Sequence, residues 1–434
     1  MRKPWSRLHG PTSAHPIATR SRLSSAPGLF PPASGRSTTS VLRSPDFRVL
    51  WLATVCYQIG LGMQQVLLGW VIFAMTGSGG MVGTVFAMRS APNLVVGFAA
   101  GAITDWLDRR TLMRLAAFVM AIVAMGMAWL AFGDRLQVWH ILCGTGLLGM
   151  CQAFEMTARQ AYVVDMVSTH NAVQGLALIS LAQRLGGVLG SLLAGATLEW
   201  WGAGPSFLVM SLCYGTGASV LFALRHRGIS APAIREPVWQ NVCTYWRALQ
   251  TNRDMRTLIL STGAAEVLGF SHQVMLPILA KDVLHVSAAG LGILTAFRFL
   301  GGMLGVGLLT ALGEVQRRGR LLLVVLSLFG AGVVLLSQAP HFWLAIVCVM
   351  FINVMASVTD ILHHTLLQLS VANEQRGRAM GSWIVGTGTA PIGHLEIGHL
   401  ASLTTARLAL LVNGIALLLL PLAIAILLPR LRRL

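Results

Sequence analysis

Apolar runs recur along the chain, separated by short polar breaks. A helix needs about 20 apolar residues to cross a hydrocarbon core of roughly 30 Å. Twelve runs reach that length. The first six lie near residues 47–75, 81–104, 112–132, 138–157, 172–199 and 203–224. The second six lie near 257–280, 288–312, 320–337, 341–362, 379–402 and 406–428. Each predicts a membrane-spanning helix, so the expected fold class is all-α. Glycine falls repeatedly in small-xxx-small spacing, as at Gly186 and Gly190 or Gly301 and Gly305. That spacing lets helices approach closely in lipid.

The polar breaks repeat as well. GAITDWLDRR (101–110) closes the second run, and TALGEVQRRG (310–319) closes the eighth. At an offset of 209, Arg89 falls on Arg298, Asp105 on Glu314 and Arg109 on Arg318. At an offset of 208, MQQVLLG (63–69) falls on SHQVMLP (271–277), and DFR (46–48) on DMR (254–256). One inserted residue reconciles the two offsets. The pattern predicts two six-helix bundles related by a parallel repeat, over residues 46–226 and 256–429. A linker at 227–255 joins them, with basic tails at 1–45 and 430–434. Transporters built this way bind substrate between the repeats near the midplane and work by rocking them.

Composition agrees with a lipid solvent. Of 434 residues, 55% are hydrophobic and only 11% charged, against about 25% in a soluble protein. The net charge of +17 would suit nucleic acid binding, but its placement argues for topology. With the N-terminus inside, 26 of the 32 Lys and Arg residues fall on inner segments. Only Arg135, Lys281 and Arg407 fall outside, while Arg89, Arg184 and Arg298 lie within spans. This bias predicts that both termini are cytoplasmic. Residues 1–45 are rich in Arg, Ser and Pro and cannot build a core. They read as a flexible tail, although a transit peptide has some of the same look. The YWRALQTN part of the linker could form an amphipathic helix on the membrane surface.

The loop GAITDWLDRR resembles the inner-loop signature of the major facilitator superfamily: Gly101, Asp105, Arg109 and Arg110 match it. Trp106 stands where a basic residue is common, and Asp108 where glycine is usual. Asp108 at that place is familiar in the drug and siderophore branch, which includes macrolide and enterobactin exporters. ARQAYVVDMV (158–167), VMLPILAKDVLHVSAAGLGIL (274–294) and LLQLSVANEQRGRAMG (366–381) resemble the same branch. The resemblance spans residues 46–428. It implies a secondary transporter in the bacterial inner membrane, exporting amphipathic small molecules driven by the proton gradient. It also implies that Gly101, Asp105, Asp108, Arg109 and Arg110, with Glu314, Arg317 and Arg318 in the second copy, latch the inner ends of the halves. The plainer reading is a charge cluster that only sets orientation. The fifth span, RLGGVLGSLLAG, lacks the proline of the family's antiporter motif. The fourth begins WHILCGTG, without the arginine usual there.

Ionisable groups inside spans are functional candidates by default. Glu266 lies ten residues after Arg256, about 15 Å along a helix, and so near the midplane. It is the leading candidate for proton coupling; its counterpart Gln58 does not titrate. Asp360 and Glu155, nearer inner ends, are the reserves and are expected to snorkel to water. Arg89 and Arg298 sit about 24 Å up from the inner acids, with His272 and Gln64 at similar depth and expected to solvate them. Glu396 reaches about 27 Å, level with Arg89; the family resemblance implies that span two packs on span eleven, so the two are expected to pair, either as an outer gate or as a permanent structural pair. Arg184 and Arg298 have no evident acid and could meet an anionic substrate.

Asp360, His363 and His364 share a helix face, a spacing that metal ligands can use. No HExxH or CxxC accompanies them, so neither a metal nor another cofactor is expected. The six cysteines lie mostly in apolar runs and read as small buried hydrophobes. With no nucleophile–base arrangement or phosphate loop, an enzyme is not expected. The sequence thus points to a transporter, expected to be monomeric, with protons, a small molecule and lipid as its partners. A facilitator-type importer or metal carrier is the alternative.

Overall fold

The computed structural model describes residues 39–104, 108–167, 171–226, 250, 253–313, 317–370, 383 and 385–427. The tail up to residue 38, almost all of the linker, and 428–434 lie outside the described residues. By contacts, the described residues from Val41 onward form one compact unit.

After a short turn of helix at Thr39–Leu42, twelve helical segments follow. They are α1 (Pro45–Thr76), α2 (Gly79–Thr104), α3 (Arg109–Phe132), α4 (Val138–Met166), α5 (Ala172–Trp201) and α6 (Ala203–Leu221). α7 is composite: Arg253–Ala265, a π-turn at Glu266–Phe270, His272–Ile278, and a second π-turn at Leu279–Val283. Then come α8 (Ala288–Leu312), α9 (Arg318–Ser337), α10 (Phe342–Leu369), α11 (Ala390–Leu403) and α12 (Ala406–Leu427). Among the described residues there is no β-strand. The twelve expected spans are these twelve helices.

Local chemistry sets the ends. Pro45 opens α1, where its missing N–H costs nothing. Gly77 closes α1 with a left-handed φ of 60°, and its N–H bonds Phe73 O at 2.9 Å. α4 runs nine residues past its expected end at 157. The acid and arginine that seemed to end the span, Glu155 and Arg159, form an ion pair one turn apart. The extra residue of the second repeat falls between Pro277 and Arg298. That interval holds the π-turn at Leu279–Val283 and a longer turn before α8.

Eight of the described helices are long and apolar enough to cross a membrane. The other four, α2, α4, α7 and α11, carry Arg89, Glu155 with Arg159, Glu266 with His272, and His394 with Glu396. Trp129, Trp139, Trp200, Trp201 and Trp343 are all exposed. Each stands at the helix end opposite the one where α1 begins. They form an aromatic belt of the kind found at a lipid–water interface. We call that end the far face and the other the near face.

Two helix pairs make the main contacts between the halves: α2 packs on α11, and α5 on α8. The α2–α11 pairing is the one that the family resemblance implied. Small residues make the approach possible. A Cβ on Gly83 would lie 2.4 Å from His394 O, and one on Gly292 would lie 2.6 Å from Ser191 O. Gly79 meets Gly398, Gly195 meets Gly292, and Gly69 meets Pro277. All of these contacts lie in the far half, so the far face is closed here. Gly83→Val should hold that face apart, because the overlap is with backbone that cannot rotate away; overpacking of this sort costs about 1–3 kcal/mol. Spin labels at Ser78 and Thr404 should then report a longer distance than in the parent. An unchanged distance distribution would show that α2 and α11 can shift without parting.

Candidate functional site

The described part of the signature loop is tied to its own half. Asp108 is the N-cap of α3, accepting from Arg110 N at 3.0 Å. The position at which this chain departs from the usual glycine therefore does the capping. Arg109 pairs with Asp165 near the end of α4. Arg110 donates to Leu224 O at 3.0 Å, and Arg114 to Leu221 O at 2.8 Å. These arginines satisfy carbonyls that the end of α6 leaves open, where positive charge is favoured. The partners named here all belong to the first half. Asp105 and Glu314 lie outside the described residues; Gly101 lies in the last turn of α2, and Arg317 and Arg318 begin α9. Asp108→Ala should lower stability by about 1 kcal/mol, the usual worth of such a cap. Faster amide exchange confined to the first turn of α3 would report it.

Further in, a cavity of about 260 Å³ lies between the halves, lined by Tyr57, Gln58, Glu155, Gln183, Arg184 and Phe299 among others. Glu155 does not snorkel to water as the sequence suggested. It is buried and ion-paired with Arg159, whose guanidinium stands 5.1 Å from the Tyr57 ring centroid. Arg184 crosses from α5 to α10, donating to Ser357 Oγ at 3.2 Å. Asp360 lies three residues beyond Ser357 and within electrostatic reach of Arg184. Arg184 therefore does have an acid near it, from the other half. Glu266 is half-buried, opens the first π-turn of α7, and is itself within electrostatic reach of Asp360. Two carboxyls and one arginine thus converge from α5, α7 and α10. π-turns of this kind are frequent at functional sites.

Towards the far face lies a layer of amides, histidines and arginines. Arg298 Nη1 donates to Gln65 Oε1 at 2.9 Å, joining α8 to α1. Tyr214 OH donates to Gln64 Oε1 at 2.6 Å. His394 lies 3.1 Å from Ser90 Oγ and 3.0 Å from Gln273 Nε2. It therefore pins α11 to both α2 and α7. His272 Nδ1 donates to Gly269 O at 2.7 Å, a carbonyl within the π-turn, and its Nε2 lies 3.3 Å from Asn353 Nδ2.

The structure does not bring Arg89 and Glu396 together. α2 and α11 do pack, but through the face bearing His394 and Gly398. Glu396 turns instead to α12, accepting from Asn413 Nδ2 at 2.9 Å. Helical depth placed the two at one level; the rotation of α11 about its axis separates them. Sequence reasoning reached Gln64 but passed over Gln65, Gln273 and Tyr214 as members of the layer. The signal was available: Gln58, Gln64 and Gln65 are amides inside a span.

His363 and His364 both approach the Trp383 ring, but their other contacts differ. His363 is bonded between Thr359 O and Ser261 Oγ, whereas His364 stacks edge-on against Trp383. Among the described residues no three His, Cys, Asp or Glu side chains gather as they would around a metal ion. A larger cavity of about 430 Å³, between α7 and α11, is lined by apolar groups such as Ile259, Val267 and Val385. Leu260 and Ile392 on its wall are exposed, so it opens to lipid.

Comparison with known proteins agrees with this architecture. The sequence profile of the transmembrane secretion effector family matches residues 36–433. The enterobactin exporter EntS of Citrobacter koseri is 28% identical over 403 residues, covering 90% of this chain and 93% of that one. EntS of Escherichia coli O1:K1 is 27% identical over the same length and coverage. Among solved structures, the nucleoside transporter NupG superposes with a TM-score of 0.72 at 12% identity, covering 88% of this chain and 98% of that one. At that identity the likeness concerns the fold. With twelve helices in two six-helix bundles and a family match over nearly its whole length, the chain belongs to the transmembrane secretion effectors of the major facilitator superfamily and is a multi-pass membrane transporter.

Proposed function

We propose that the protein is a proton-coupled exporter of siderophore-like amphipathic molecules, working by alternating access in the bacterial inner membrane with its near face in the cytoplasm. The observation that supports this reading is that Glu266 and Arg184, from opposite halves, each lie within electrostatic reach of the exposed Asp360, below a far face closed by glycine contacts. A carboxyl pair there can exchange a proton for substrate, since water reaches it from only one face at a time. Arg184 spans the joint between the halves, so its partners change when they rock. The far face opens when α2 parts from α11 and α5 from α8. The signature loop, tied to α3, α4 and α6 in its own half, then carries its remaining charges towards the second half as a latch. The identity of the relatives supports the substrate class.

The test uses inside-out membrane vesicles from cells producing the protein. Acidifying the vesicle interior should drive accumulation of enterobactin, and collapsing the proton gradient should abolish it. Accumulation only with right-side-out vesicles would make the protein an importer. Accumulation unaffected by the proton gradient would remove protons as the coupling ion.

A further inference from the structure

The cavity of about 430 Å³ beside α7 belongs to no part of the transport site. Its origin lies in the repeat. In the first half the matching joint, between α1 and α5, is filled by a side chain: Trp51 Nε1 donates to Leu178 O at 3.1 Å. At the repeat offset of 208, Trp51 and Leu178 correspond to Ile259 and Gly386. An indole is thus replaced by a smaller side chain, and a leucine by a hydrogen atom. Both Ile259 and Gly386 line the cavity. The second half has left open what the first half fills for itself.

The lining has the chemistry of a lipid tail. Leu260, Ala264, Val267 and Ile392 supply hydrocarbon walls. Thr389 is the one hydroxyl among the lining residues, and it donates to Gly386 O at 2.8 Å, so it has no proton to give a ligand. A polar molecule would lose its hydration there without replacement; a hydrocarbon chain would not. Leu260 and Ile392 are exposed, so the chain enters from the bilayer.

Depth and charge define the rest of the molecule. Arg256 lies one turn before Leu260, and Leu260, Ala264 and Val267 follow it on one face of α7. At 1.5 Å per residue the groove begins about 6 Å from Arg256 and reaches about 16 Å, roughly one leaflet of a 30 Å core. Arg253 lies one turn nearer the surface. Both arginines are exposed, and among the described residues neither forms an ion pair. Two guanidiniums at the polar end of an apolar groove one leaflet deep match a phosphate and its acyl chain.

We propose that the groove between α7 and α11 binds one anionic phospholipid of the near leaflet. Its acyl chain lies against Ile259, Ala264 and Val267, and its phosphate at Arg256 and Arg253. The proposal does not depend on what the protein transports or in which direction.

The experiment is native mass spectrometry of the full-length protein in mild detergent, equilibrated with equimolar phosphatidylglycerol and phosphatidylcholine of identical chains. The parent should retain one phosphatidylglycerol, in about tenfold or greater excess over phosphatidylcholine. The double variant Arg253→Gln/Arg256→Gln should bring that ratio close to one. Ile259→Trp, which restores the first half's residue, should abolish retention of both lipids. Val324→Trp, at an exposed position of α9, should change neither. Equal retention of the two lipids by the parent would overturn the proposal. So would an unchanged ratio in the double arginine variant, or retention in Ile259→Trp at the parent level, or a loss in Val324→Trp as large as that in Ile259→Trp. Should Ile259→Trp fail to fold, the arginine variant decides alone, since both of its substitutions are on the surface.

Discussion

Glu266→Gln should abolish uphill, gradient-driven export while sparing substrate binding and downhill exchange. The substitution keeps the size and polarity of a protonated carboxyl and removes its titration. Glu266 lies inside a span, at the start of a π-turn, within electrostatic reach of Asp360. Coupling requires only that substrate and proton favour different states of one site. A permanently neutral side chain leaves the proton no way to bias the change between faces. The halves could still rock with substrate aboard, so counterflow of labelled substrate in proteoliposomes should continue near the parent rate. Accumulation against a gradient should fall to background. If Glu266→Gln still concentrates substrate, the coupling proton resides elsewhere. Asp360 is then next, because it lies within electrostatic reach of both Glu266 and Arg184. Parallel loss of counterflow and accumulation would instead give Glu266 a role in binding or in opening the site.

The outline of the fold was legible because lipid imposes a length on every apolar run, and because the duplication left its trace in the spacing of charges. Arg89 and Arg298, read as equivalents in the sequence, do converge on one layer. Depth along a helix was legible too, since rise per residue is fixed. Azimuth was not. Glu396 and Arg89 share a level, but α11 presents His394 to α2 and Glu396 to Asn413 on α12. A helix that is apolar nearly all round gives no strong indication of which face is inward. The π-turns of α7 were illegible for a related reason: a one-residue insertion widens a turn without interrupting hydrophobicity. It appeared in the sequence only as the change of repeat offset. Arg184's approach to Asp360 joins α5 to α10, helices from different halves, and no local spacing encodes such a meeting.

Glu155 and Arg159 carry the second large effect. Both are almost wholly buried, at 4% and 2% exposure, and they pair within one turn of α4. Arg159 Nε and Nη1 have no further partner, so the glutamate is the principal counterweight to a buried charge. Removing it alone should cost about 3–5 kcal/mol, the usual result of stranding one member of a buried pair. Glu155→Leu should therefore unfold at a markedly lower temperature. Arg159→Met should be similarly harmful, because it strands the carboxylate. The double variant should recover most of the loss, since an apolar pair of like volume suits the interior of a membrane bundle. The coupling energy from this cycle separates two roles. A large coupling with normal transport in the double variant would make the pair structural. Restored stability without restored transport would show that the charges act in the cavity they line, beside Gln58 and Arg184. A cost below about 1 kcal/mol for Glu155→Leu, the range of exposed pairs, would mean that water in the cavity already solvates Arg159, and the account of a dry buried pair would be wrong.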